Sequence, residues 1–251
     1  MNKSILSIVI PAYNEEKRIG KTLDYISTFL RSQKIEFEII VVTNNCTDHT
    51  VLLLDKIKKK SIPELINIDI PREGLVGNMK GYAVSMGMRR AQGDYHLFID
   101  ADNATSFENV INFMDYIKNG SDVVIGSRYV EGSFIVKKQP LYRVVLSRLS
   151  NILIQAVLLP GIYDTQCGFK MFSKKASNII FSKTTVNGWG SDLEMLAIAR
   201  IYKFEIKEAP VRWEAQDEST VRSHAFFHTL KELFKIRRNV SSNLYKGNRQ
   251  A

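Results

Sequence analysis

Residues 95–102 read Tyr95-His96-Leu97-Phe98-Ile99-Asp100-Ala101-Asp102. A largely apolar run of strand length that stops on two carboxylates is the pattern of a buried strand delivering acids to one edge of a sheet. Two residues apart, Asp100 and Asp102 leave the sheet together and can hold a hard divalent cation, Mg2+ or Mn2+, through oxygen. Such a cation would neutralise a departing diphosphate. The competing reading is an Asp-rich turn capping a helix that begins near Ser106.

Outward from this segment the same alternation recurs. Apolar runs at Ser4 to Ile10, Phe37 to Val42, Leu65 to Ile70 and Asp122 to Ile125 read as strands, the first stopped by Pro11. Helical patterns lie between them at Glu15 to Leu30, Asp48 to Lys60, Lys80 to Ala91 and Ser106 to Ile117. Strands alternating with helices predict an α/β fold, a mostly parallel sheet covered on both faces. In such sheets ligands sit beyond the carboxyl ends of the strands. After Ser127 the alternation stops. Leu141 to Leu159 reads as an amphipathic helix whose polar stripe is Arg143, Ser147, Asn151 and Gln155. Gly188 to Tyr202 reads as a helix, Phe204 to Trp213 as a strand, and Phe226 to Tyr245 as a last helix.

The 251 residues are 45% hydrophobic and 24% charged, which excludes a disordered, collagen-like or membrane-embedded body. The apolar run at the N-terminus is too short for a signal peptide or a span. Cys46 and Cys167 match no zinc or redox spacing and make no disulfide framework, so a reducing, cytoplasmic compartment is expected. The net charge of +9 is concentrated in two stretches, +4 over 132–163 and +6 over 222–251. Phosphates on nucleic acid, an anionic lipid surface or a phosphorylated substrate are the partners such charge suggests; solvated helix faces are the plainer alternative. We divide the chain into a catalytic domain at 1–221 and a basic amphipathic segment at 222–251.

Several motifs join the acid pair: Ser7-Ile8-Val9-Ile10-Pro11-Ala12-Tyr13-Asn14-Glu15-Glu16, Lys80-Gly81-Tyr82-Ala83 and Gly126-Ser127-Arg128. In this order, over roughly residues 4 to 220, the chain resembles the family-two glycosyltransferases of the GT-A (Rossmann-like) fold. Asp164-Thr165-Gln166-Cys167-Gly168-Phe169-Lys170, Gly188-Trp189, Asp192-Leu193-Glu194 and Val211-Arg212-Trp213 look like the dolichyl-phosphate β-glucosyltransferase group within it. The resemblance implies an inverting, metal-dependent transfer of glucose from UDP-glucose to a dolichyl or undecaprenyl phosphate.

It also implies roles. Pro11, Tyr13 and Glu15 would border the base and ribose, with Asn44, Lys80 and Asp100 completing the nucleotide-sugar site. Asp102 would be the principal metal ligand and Asp100 the second, nearer the ribose. Arg128, Arg143 and Ser147 would surround the acceptor phosphate; four apart, Arg143 and Ser147 share a helical face. Asp164 and Gln166 belong to the signature loop. Asp192 and Glu194 are assigned to orienting arginines or the acceptor, and Asp192 becomes a general base if the acceptor is a hydroxyl. Arg148 and Lys138 are read as surface cations.

Two other readings stand beside this one. The first keeps the fold but takes another sugar donor, or a soluble or glycan hydroxyl acceptor. The second is a nucleic-acid-binding module using the basic tail, which has no nucleic-acid motif and alternates its cations with a Phe/Leu face better suited to a membrane interface. Peripheral membrane binding is therefore expected and nucleic acid is not. The alternative is that the apolar faces pack in the core or in a homo-oligomer.

Overall fold

Along strand β1 (Ile5–Ala12), Leu6, Ile8 and Ile10 enter one apolar cluster and Val9 enters a second on the opposite face. The alternation repeats on β2 (Glu36–Asn44), where Ile39 and Val41 face one cluster and Ile40 and Val42 the other. A strand buried on both faces is the all-apolar run seen in the sequence. The computed structural model describes residues 5–70, 79–137, 141–215 and 224–246; the side chains of 141–143 and 224–227 lie outside that description.

Helices α1 (Ile19–Ser32), α2 (Thr50–Lys60) and α4 (Asn109–Lys118) contribute to the first cluster. Helices α3 (Lys80–Arg90), α5 (Leu141–Val157), α6 (Lys174–Lys183), α7 (Ser191–Ile201) and α8 (His224–Ser241) contribute to the second. With β3 (Leu65–Ile70), β4 (Tyr95–Ile99), β5 (Val123–Ser127), β7 (Phe169–Ser173) and β8 (Ile206–Pro210), the main sheet has the order β3-β2-β1-β4-β7-β5-β8. All its pairings are parallel except those of β7, which runs antiparallel between β4 and β5.

Strand β7 begins on the last two residues of the signature motif 164–170, whose Asp164 and Gln166 precede it. The segment read as one strand from Phe204 to Trp213 is two: β8 edges the main sheet, and β9 (Arg212–Glu214) pairs with β6 (Phe134–Lys137) in a separate two-stranded sheet. Pro210, with no N–H to donate, closes β8 at an edge, where a missing ladder bond is tolerated. Helix α8 is no loose tail. Its Leu233 and Ile236, with Tyr245 of the following 3-10 turn (Leu244–Lys246), are buried in the cluster that holds Val9. The boundary set at residue 221 lies outside the described residues.

Candidate active site

The acid pair follows the carboxyl end of β4, with the start of α3 against it and the carboxyl ends of the parallel strands β1 and β2 on the same edge of the sheet. Lys80, at the first position of α3, places its Nζ 2.7 Å from Asp100 Oδ1 and 5.3 Å from the Phe98 ring centroid. Burial alone would lower the Lys80 pKa, but Asp100, Asp192 and Asp102 together hold it above its ordinary value. Asp102 Oδ1 accepts the Ala104 N–H at 3.0 Å in a tight turn whose Asn103 has φ 52°. Asn is a residue that tolerates this left-handed region. Burial, with the Asp100 charge beside it, raises the Asp102 carboxyl above the usual aspartate range.

Two carboxylates side by side, with Lys80 paired to Asp100, supply the hard oxygen donors that a divalent cation takes, so the residues fit one. Asp102 and Asp100 would be the groups to hold it. Among the described residues no three His, Cys, Asp or Glu side chains cluster to complete a cage. That suits a cation of the Mg2+ type, which takes one or two carboxylates and fills its sphere from substrate phosphates and water.

Gly168 tightens the same spot. Its carbonyl accepts the Asp100 N–H at 3.1 Å, and a Cβ at this position would overlap the Asp100 carboxylate. Gly168→Ala is therefore expected to displace Asp100 and cut any transfer by roughly 10². Initial rates on folded protein check this; wild-type rates would mean that the acid is not held from this side.

The nucleotide-side candidates lie on two linked turns. Asn14 joins them: its Nδ2 donates to Thr47 Oγ1 at 3.0 Å, and its Oδ1 accepts the Thr47 N–H at 2.7 Å. Pro11 sits opposite Val42 in the β1–β2 register, and Tyr13 is exposed. The Glu15 carboxylate is gripped by the Arg18 guanidinium through two bonds of 2.8 Å. Burial nevertheless keeps its pKa raised. At the end of β2, Asn44 and Asn45 each keep a buried Oδ1 with no hydrogen-bond partner among the described residues. A side-chain oxygen in that state is an acceptor waiting for a donor.

On the other side of β4, half-buried Arg128 and buried Asp164 form a fork: Nε to Oδ2 at 2.7 Å and Nη2 to Oδ1 at 2.8 Å, with the Arg128 backbone N–H also donating to Oδ2. The Arg128 pKa is raised: burial works against the charge, and Asp164 more than offsets it. The guanidinium also faces the rings of Tyr129 and Trp213. Helix α5 reaches this group through Ser147, whose Oγ is 3.1 Å from the Tyr129 hydroxyl, and Arg148 is exposed but stacks on the same ring at 4.1 Å. Arg143 lies on α5, its side chain outside the described residues. Gln166 is half-buried.

Sequence reasoning missed Lys170. This lysine is fully buried on β7, with its Nζ donating to the Cys167 carbonyl at 2.6 Å and to Asp192 Oδ1, and it lies 5.6 Å from the Phe98 ring. Asp192, expected to orient arginines or the acceptor, bonds this lysine rather than an arginine. Glu194 likewise accepts the Thr185 and Val186 N–H groups and the Tyr245 hydroxyl. Two signals marked it: its place at the end of the signature motif 164–170 and a lysine inside the apolar run Phe169-Lys170-Met171-Phe172.

A mostly parallel sheet presenting two acids and a lysine beyond its carboxyl edge, beside a forked arginine–aspartate pair, has the architecture of a GT-A glycosyltransferase. The family model "Glycosyl transferase family 2" matches residues 7–181, and the chain belongs to that family. Its relatives include a dolichyl-phosphate beta-glucosyltransferase of Trichomonas vaginalis, 34% identical over 92% of this chain and 72% of that protein. The human dolichyl-phosphate beta-glucosyltransferase is 31% identical over 92% of this chain and 74% of its own length. Among solved structures, mannosyl-3-phosphoglycerate synthase of Rubrobacter xylanophilus superposes with TM-score 0.65 at 13% identity, covering 99% of this chain and 77% of that one. The glucosyl-3-phosphoglycerate synthase of Mycobacterium tuberculosis bound to UDP gives 0.64 at 17%, covering 94% and 80%. These structural likenesses concern the fold.

Proposed function

We propose that the protein transfers glucose from UDP-glucose to a polyprenyl phosphate of the dolichyl type, with inversion, giving a β-linked lipid glucosyl phosphate. The names of its relatives support the lipid acceptor and the sugar. A related fold crystallised with Mn2+ and UDP-glucose supports the donor and a Mg2+ or Mn2+ cofactor at Asp100 and Asp102.

The observation that carries the reading is the orientation of α5. Of its polar stripe, Asn151 is buried and Ser147 lies on Tyr129. Val145, Leu146, Leu149 and Ile152 stand exposed on the outside. A helix that sends Ile154 into the core yet leaves four large apolar side chains exposed, next to a part-buried cationic group, suits a ligand that joins a phosphate to a hydrocarbon tail. No helix among the described residues is long and apolar enough to cross a membrane, so α5 would lie on the surface rather than span it. Exposed Lys231, Lys235, Arg237 and Arg238 on α8 would add attraction to anionic headgroups, at the cytoplasmic face where the donor is available.

In this reading an acceptor phosphate oxygen attacks C1 of glucose from the face opposite the diphosphate, the C1–O bond breaks and UDP leaves. The second pKa of a phosphate monoester is about 6, so the nucleophile arrives ionised and needs no base. Arg128 and Arg143 would offset the repulsion between the two anions, and Lys80 would fix Asp100 beside the donor. A cation at the acid pair would neutralise charge gathering on the leaving diphosphate.

The test is incubation of the purified protein with labelled UDP-glucose, Mg2+ or Mn2+ and dolichyl phosphate, followed by organic extraction. Label in the organic phase that is released by mild acid is the expected product; label only in a water-soluble product would replace the lipid acceptor with a hydroxyl or a soluble one. For the membrane contact, Leu149→Glu with Ile152→Glu should reduce partitioning to anionic vesicles by about 10-fold or more, since two apolar side chains are worth over 1 kcal/mol of burial. Flotation measures it, and undiminished flotation would remove α5 from the contact.

A further inference from the structure

The loop Gly188-Trp189-Gly190 is held between two helices. From one side α3 presses so closely that a Cβ on Gly81 would stand 2.7 Å from the Val186 carbonyl oxygen. From the other, Glu232 of α8 lies directly on both glycines. A Cβ on Gly188 would collide with Glu232 Oε1, and one on Gly190 would sit 2.7 Å from the Glu232 Cβ. Glu232 Oε2 accepts the Gly190 N–H at 2.6 Å, and Gly190 is the N-cap residue of α7. The carboxylate therefore satisfies a donor that the helix leaves unfilled, at the end where negative charge is favoured. Trp189, between the two clamped glycines, has its ring centroid 5.6 Å from Lys80 Nζ, the ammonium paired with Asp100. The same α7 carries Asp192 in its first turn.

We propose that Glu232 is a positioning residue for the active site: by fixing Gly190 and leaving no room above Gly188, it holds the Trp189 indole against Lys80. Helix α8 is then part of the catalytic framework rather than only a basic appendage. The inference rests on the proposed transfer for its kinetic consequence and on geometry alone for its spectroscopic one.

The chain contains two tryptophans, so a Trp213→Phe background leaves Trp189 as the sole indole reporter. In full-length protein on that background, Glu232→Ala should raise acrylamide quenching of Trp189 at least ~2-fold and lower kcat on the order of 10-fold, with the KM for the nucleotide sugar changed less than kcat. Glu232→Gln keeps an oxygen acceptor for the Gly190 N–H and should restore most of both. Leu233→Ala, next along α8 but buried in the core, serves as the control for general loosening of that helix. Unchanged quenching in Glu232→Ala, or equal quenching and rate losses in Leu233→Ala, would overturn the proposal, as would a Gln variant as impaired as Ala. Should the wild type transfer no glucose, the functional reading fails while the quenching comparison still decides the role of Glu232.

Discussion

Asp102→Asn is expected to lose about 10³-fold in transfer while becoming more stable than the wild type. The loss follows from removing the principal charge that anchors a divalent cation, a contribution worth several kcal/mol of transition-state stabilisation at about 1.4 kcal/mol per tenfold. The gain follows from the direction of its pKa. Burial and Asp100 raise the folded-state carboxyl above its unfolded value of 3.8. The folded state therefore binds the proton more tightly than the unfolded state does. Below 3.8 both states are protonated and nothing is lost; as pH climbs through the raised folded value the ionised carboxylate costs stability, fully so at neutral pH. The amide removes that cost and can still accept the Ala104 N–H. Thermal unfolding at pH 7 should show a higher Tm, by about 2–4 °C for each kcal/mol recovered, and the advantage should vanish at acid pH. Mn2+ should raise the Tm of the wild type and not that of the variant. Full activity in Asp102→Asn would remove Asp102 from the metal site, and a lower Tm would mean that its carboxylate is not a burden on the fold.

The elements legible in the sequence are those whose cause is local. Strands β1 to β5 and helices α1 to α4 follow from apolar runs and helical periods that need no distant partner. The acid pair was legible for the same reason, since a strand end and a two-residue spacing lie in one segment. Strand β7 escaped because five residues with a lysine second among them carry no clear period; what makes Phe169–Ser173 a strand is its place between β4 and β5, and what makes Lys170 acceptable is Asp192, 22 residues away. Glu232 is hidden in the same way, its partner Gly190 being 42 residues distant. For α5 the two stripes could be read but not their direction. Only tertiary packing shows that Asn151 faces inward and Ile152 outward, because a helical period fixes which residues share a face and not which face is buried.

The buried pair of Lys170 and Asp192 gives the second large effect and decides how Asp192 is to be tested as a base. Both side chains are almost wholly removed from solvent, at 0% and 6% exposure. Taking the charge from one leaves the other buried without compensation, which costs about 3–5 kcal/mol. Asp192→Asn alone should therefore lower the Tm by roughly 10 °C, and an inactive variant would say little about chemistry. Replacing the pair together, Lys170→Met with Asp192→Leu, should recover most of that stability, less the bond from Lys170 to the Cys167 carbonyl. Urea unfolding of the two singles and the double gives the coupling energy directly. If the acceptor is a lipid phosphate, the folded double variant should keep transfer within about 10-fold, because the nucleophile needs no proton removed. Arg143→Ala should lose on the order of 10²-fold, through the charge-assisted bonds an acceptor phosphate would otherwise receive. A stable double variant with transfer abolished, beside a near-silent Arg143→Ala, would make Asp192 a general base and the acceptor a hydroxyl.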